Sequence, residues 1–178
     1  DFRLEILRQV ESEPDVNQDK ELLPLLDEAL GAQLIDQKSE TISHYRFIHA
    51  LVRETLYEDL PLPVRVALHE RVGTAIERLY EANLEPHLAE LADHFFKALP
   101  GDKKDKSIHY AKRAGERAIT LFACEEAVVH LIRALQLVEP EFANSLVHAE
   151  VLLALADARH RVGDAQEATN TYLQTVEL

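Results

Sequence analysis

Residues of matched size recur at a fixed interval in the second half of this sequence, and that recurrence restricts the fold more than any other feature. Gly115 and Ala156, Ala127 and Ala168, Leu131 and Tyr172, and Ala134 and Thr175 are all separated by the same interval, and Gly73 precedes Gly115 by one position more. Small residues at helix crossings let two backbones approach, and a large residue between them fills the adjoining space. A chain with this register stacks one helical hairpin on the next, the logic of a solenoid. Composition agrees: alanine, leucine and glutamate dominate, Trp and Met are absent, and only five glycines punctuate 178 residues. That balance favours helices over sheets, so the expected class is mainly α.

The first third reads differently. FRLEILRQV (2–10) predicts a helix with Phe2, Ile6, Leu7 and Val10 on one face, and SEPDVNQD breaks the pattern. A second helix follows in DKELLPLLDEALG, with Leu22, Leu25, Leu26, Ala29 and Leu30 as its stripe, Asp19 as N-cap, Pro24 in its early turns and Gly31 as a left-handed stop. QLID and HYRF, bridged by polar residues, predict a small β-hairpin. HALVRETLYEDL then predicts a helix with Leu51, Val52, Thr55 and Leu56 inward, ended by Pro61 and Pro63. Helix, helix, hairpin, helix is the order of a winged-helix-like module, expected over residues 1–62. From 63 to 178 only helices are expected, the first burying Val64, Leu68, Val72, Ala75, Ile76 and Leu79, the second burying Leu88, Leu91, Ala92, Phe95 and Leu99 after Pro86.

Charge and motif content exclude several functions. The formal charge is −13, with 32 acids against 19 bases, whereas a duplex-binding surface gains affinity from clustered Lys and Arg. The helix DKELLPLLDEALG, which would enter a groove in a DNA-binding winged helix, is itself acidic. GxxxxGK[ST] has no match, and Gly101-Asp102-Lys103 is only a turn signal. His87, Glu90 and His94 share one edge of a helix, but their spacing matches no zinc signature and they flank the stripe of Leu91 and Phe95. The single cysteine, Cys124, sits beside Glu125 and Glu126, which oppose thiolate formation, so it reads as a buried small residue. The lone cysteine, the lack of an apolar run of about 20 residues and the lack of a signal peptide imply a cytoplasmic chain. The opening DFRLEIL, without Met, reads as part of something longer.

AEVLLALADARHRVGDAQEATNTYLQTVEL resembles a tetratricopeptide repeat. Leu152, Leu155 and Ala156 match its first helix, Gly163-Asp164 the turn, and Ala168 and Tyr172 the second helix. RAGERA, EEAVVHLIRALQL and Pro140 form a second, looser copy; Arg159 stands where the repeat usually carries an aromatic. Tyr80, Tyr110 and Tyr172 read as packing residues of the repeats, with one or two able to line a concave groove for a peptide or small ligand.

YRFIHALVRETLYEDLPLPVRVALHERVGTAIE is similar to the segment that follows the nucleotide-binding module in signal-transducing ATPases with numerous domains. These include maltose-regulon-activator-like and LuxR-type large ATP-binding regulators, and ATPases attached to cyclases or kinases. The resemblance implies a winged-helix domain that closes over nucleotide held by an upstream P-loop domain in cis. His49, at the strand-to-helix junction, would contact the ADP phosphates, and Arg53, one turn later, would be an interdomain partner. Ile48 departs from the basic residue often found before that histidine. A helix N-terminus attracts anions through its free N–H groups, and a histidine there can donate to phosphate. The segment itself would be non-catalytic and hold no cofactor or metal, ATP or ADP belonging to the parent protein. Its repeats would sense an inducer, peptide or protein, with no direct contact to nucleic acid or membrane. The alternative is a tetratricopeptide adaptor with no ATPase attached.

Overall fold

The computed structural model describes residues 2–10, 18–37, 43–99, 103–138 and 146–176, the side chains of 18–21 excepted. Among these residues the protein is mainly helical, with nine α-helices and one small three-stranded sheet. It divides into two compact units, Asp1–Leu79 and Tyr80–Leu178.

The first unit runs β1 (Phe2–Arg3), α1 (Leu4–Val10), α2 (Gln18–Gly31), β2 (Ile35–Gln37), β3 (His44–Phe47), α3 (Ala50–Glu58) and α4 (Leu62–Leu79). All pairings are antiparallel and the strand order is β1-β3-β2. The expected hairpin is present, with Ile35 opposite Phe47 and Gln37 opposite Tyr45. Phe2 and Arg3 are not helical as the periodicity suggests. They pair with Tyr45 and His44, and the Phe2 ring stacks on Tyr45 with centroids 5.5 Å apart. Aromatic pairing across strands outweighs a further half-turn of helix there. Leu4, Leu22, Leu26, Ile35 and Tyr45 form the core beneath. The unit extends past residue 62, the boundary expected from the prolines, because α4 packs on α1 and Arg71 donates to the Val10 carbonyl. Val64 is exposed rather than buried; Gly73, Ala75 and Ile76 are the buried residues of α4. The hairpin loop, the Gly101-Asp102 turn and Pro140 lie outside the described residues.

The second unit holds a 3-10 turn at Glu85–His87, then α5 (Leu88–Lys97), α6 (Lys104–Thr120), α7 (Cys124–Leu137), α8 (Leu146–Val162) and α9 (Ala165–Val176). Each helix packs on the next, and α5 also touches α7 as α6 touches α8. The small positions are interior: Gly115, Ala127, Ala134, Ala156 and Ala168 are all buried, and Leu131 is fully enclosed. A Cβ on Gly115 would lie 2.5 Å from Leu131 Cγ, so only glycine permits this approach of α6 and α7. Leu88, Leu91, Ala92 and Phe95 of α5 are buried as expected, with Phe95 stacked on Tyr110 of α6.

Three helices end on one hydrogen-bond pattern. Gln33, Phe122 and Gly163 have φ of 55°, 60° and 93°. Each donates to the carbonyl three residues back, while the following residue donates to the carbonyl five back, as in Leu34 to Ala29, Ala123 to Ala118 and Asp164 to Arg159. The left-handed stop after α2 is therefore Gln33, not Gly31. Phe122 and Gly163 stand at the same interval as Gly115 and Ala156, so equivalent turns carry a permissive residue in one case and a bulky one in the other. A side chain in this region costs about 1–2 kcal/mol.

Two substitutions test these constraints. Gly115→Ala is expected to lower the urea unfolding free energy by about 1–3 kcal/mol through overpacking, and pairing it with Leu131→Ala should remove that penalty, leaving only the cost of the shortened leucine. Phe122→Gly, at a ring 82% exposed, should raise stability by roughly 0.5–1 kcal/mol; an unchanged or lower unfolding midpoint would contradict strain at that turn.

Candidate functional site

The junction of β3 and α3 is built from an aromatic strand and a short helix. Tyr45 anchors the strand in the core, and the Ile48 N–H donates to the Leu34 carbonyl at 3.1 Å, prolonging the pairing with the β2 side. His49 then turns the chain, with φ −116° and ψ 122°, and occupies the N-cap of α3. Its carbonyl accepts from the Arg53 N–H at 3.3 Å, but its side chain makes no capping hydrogen bond. The imidazole is solvent-exposed, as is the Arg53 side chain. A spacing of four residues sets His49 and Arg53 on one helical edge, beside the N–H groups that the first turn leaves without helical acceptors.

The face of α3 departs from expectation. Leu51, Val52, Thr55 and Leu56 read as inward, yet no residue of α3 is buried. Leu51 is 74% and Leu56 51% exposed, and the Thr55 hydroxyl turns back to the Leu51 carbonyl at 2.9 Å. Ile48, Tyr57, Leu62 and Val64 extend the exposed apolar surface. The corner to α4 is held by Tyr57, whose hydroxyl lies 2.9 Å from His69 Nε2 and whose ring lies under the Arg65 guanidinium.

In the second unit an open groove of ≈ 680 Å³ runs between α6, α8 and α9. Lys112 and Glu116 line it from α6, Glu150, Leu153 and Asp157 from α8, and Tyr172 from α9. Lys112 bonds Glu150 and lies 3.6 Å from Glu116. The Glu150 hydrogen bond raises the Lys112 pKa above its ordinary value, outweighing partial burial. None of these acids or Lys112 stands out in the sequence, although the repeat register carries the signal: it sets Lys112 with Leu153 and Glu116 with Asp157. Of the three tyrosines considered for a concave surface, Tyr172 reaches it; Tyr80 stacks on His87 at 3.8 Å and Tyr110 is buried against Phe95.

Several other polar groups link the helices of the second unit. Glu85 accepts from Arg113 at 2.7 Å and from Arg117 at 3.2 Å, which lowers its pKa. Arg159 donates to Thr171 at 2.6 Å and lies 3.3 Å from Glu167, a polar link between α8 and α9. Burial pushes Asp93 up, but the hydrogen bond from Lys97 and the charges of Lys97 and Arg133 hold it below its ordinary value. His87 Nδ1 lies 3.5 Å from Glu90, and among the described residues no three His, Cys, Asp or Glu side chains converge as a metal site. Cys124 is buried at the start of α7. No helix among the described residues is long and apolar enough to cross a membrane.

Burial lowers the pKa of His94 and His130 below the ordinary 6.5, against the raising fields of Glu90, Asp93 and Glu126. The unfolded chain therefore binds more protons just below that pH, and folding stability falls as pH drops through 6.5 toward the folded values. Urea titrations on either side of this window should show that decline, and His94→Gln with His130→Gln should flatten it. An equally steep profile in the double variant would place the effect elsewhere.

No protein-family model matches this chain, and no curated protein or solved structure is significantly similar to it.

Proposed function

We propose that this chain is a non-catalytic regulatory region of a multidomain signal-transducing ATPase, with a winged-helix-like module followed by tetratricopeptide-like repeats. The observation that carries the reading is α3, an amphipathic helix whose apolar stripe faces solvent and whose N-cap histidine leaves its side chain uncommitted. A helix with this pattern gains about 25 cal/mol per Å² of apolar surface when covered, so Leu51 and Leu56 suit a docking face. His49 and Arg53 share its edge. An anion brought there meets free N–H groups, the positive end of the helix dipole and two side chains able to donate. Nucleotide phosphate on a P-loop domain in cis is the anion that the sequence resemblance implies.

The second unit supports the sensing half of the reading. Its helices pack with their neighbours, α5 also with α7 and α6 with α8, and two of its turns repeat the same hydrogen bonds one sequence interval apart. A ligand on these repeats shifts the parent between a closed ADP state and an open ATP state only through differential affinity for the two. The acidic overall charge suits neither direct DNA binding nor an anionic membrane surface. An adaptor with no ATPase attached is the second reading, favoured by the groove on α6, α8 and α9, which needs no nucleotide.

Two measurements separate them. The coding sequence ahead of Asp1 should contain a P-loop and a Walker B acid; their absence sinks the ATPase reading. In the full-length protein, His49→Ala should speed release of a fluorescent ADP by roughly tenfold, the worth of one charge-assisted hydrogen bond, and raise basal output. Unchanged ADP retention and output would remove His49 from the nucleotide site.

A further inference from the structure

We propose that the groove between α6, α8 and α9 binds a cationic peptide segment carrying an aliphatic residue between its basic ones. This names a ligand for the helices whose sensing role is proposed above and rests on that reading for its regulatory meaning; the binding itself does not require an ATPase.

The charge of the lining selects the ligand. Glu116, Glu150 and Asp157 present three carboxylates to the groove against the single ammonium of Lys112. Lys112 serves two of them, and Arg161 holds Asp157 at 3.0 Å. Each carboxylate offers about four acceptor positions, so these partners leave capacity for further donors. All three acids are more than a third exposed, at 48%, 43% and 39% for Glu116, Glu150 and Asp157. An incoming Lys or Arg joins existing ion pairs without stranding Lys112, whereas an acidic ligand meets like charge. The net charge of −13 adds long-range attraction for a basic partner.

The apolar part of the lining adds the second requirement. On α8, Val151, Leu152 and Leu155 are 0–2% exposed, yet Leu153 is 54% exposed and faces the groove with Tyr172. An aliphatic residue laid over Leu153 and Tyr172 would be covered on one side. The groove's openness decides between a small amine and a chain. Small-molecule sites enclose most of their ligand, and an open trough of this kind cannot, so affinity has to come from several contacts along a peptide.

The test uses the 178-residue chain and a short fluorescent peptide of alternating lysine and leucine, read by anisotropy near physiological salt. Matched peptides of glutamate with leucine and of lysine with glycine are the comparisons. The lysine-leucine peptide should bind most tightly. Leu153→Asp should weaken it at least about fivefold, the worth of roughly 1 kcal/mol of apolar contact, even though the variant is more acidic. Glu150→Lys should weaken it as well; circular dichroism confirms that both variants, at exposed positions, stay folded. Tighter binding to Leu153→Asp would show diffuse charge attraction and overturn the proposal. So would absence of binding, equal binding of the glutamate-leucine peptide, or displacement by spermidine as effective as by unlabelled peptide. Failure here leaves the His49 and P-loop tests untouched, and failure of those leaves this binding untouched.

Discussion

The second unit depends on one missing atom. With no Cβ at Gly115, α6 approaches α7 closely enough for Leu131 to sit where a side chain would otherwise stand. That approach makes the later stacking possible: Leu131 is fully enclosed, Ala127 and Ala134 flank it one turn either way, and α8 then packs on both α6 and α7. Dense packing offers no soft alternative here. A methyl group at the crossing has to move either a whole leucine or a helix, and both displacements spread to the next layer.

Such a crossing is legible in sequence because volume must alternate where helices meet. The pairs Gly115 with Ala156 and Ala127 with Ala168 all prove interior. Leu131 and Tyr172 do not behave alike: one is fully buried, the other 38% exposed. Register identifies equivalent positions, but the burial of each depends on which neighbours exist. Helix ends are legible for a different reason and only in part. A glycine advertises a left-handed residue, and Gly163 fulfils that expectation, but Gln33 and Phe122 adopt the same conformation without the signal, while Gly31 does not adopt it. The hydrogen-bond pattern of the helix end sets the conformation, and composition only modulates its cost.

The first unit shows the same division between pattern and partner. The hairpin is readable from QLID and HYRF because β-rich runs with a polar bridge have few other uses. The strand Phe2–Arg3 is not, since two residues contain no period, and their pairing with β3 is a long-range choice made by aromatic contact. For α3, periodicity correctly marks an amphipathic helix and cannot say what covers it. Leu51 and Leu56 are exposed, so the stripe is real but its direction within this unit is not inward. His49 stands out by its place before a helix, and the geometry gives it the N-cap without the side-chain bond that an ordinary cap would make.

Charge follows the same logic. A total of −13 is a sequence-level argument against a duplex-binding surface, which draws its affinity from clustered Lys and Arg. It says nothing about where acids lack full compensation. On the surface of the second unit, Glu85 is satisfied by two arginines and Asp93 by a lysine and an arginine. Lys112 is instead divided between two glutamates, beside an aspartate paired from one side and an exposed leucine. The distinction comes from α6 and α8 lying together: two helices equivalent by register bring Glu116 and Asp157 to one trough, whereas Asp93 of α5 is met by Lys97 of its own helix and Arg133 of α7. The same sequence interval that places small residues in the core places these acids on one surface, and the exposed Leu153 beside them adds an apolar contact to the excess of charge that the proposed peptide would meet.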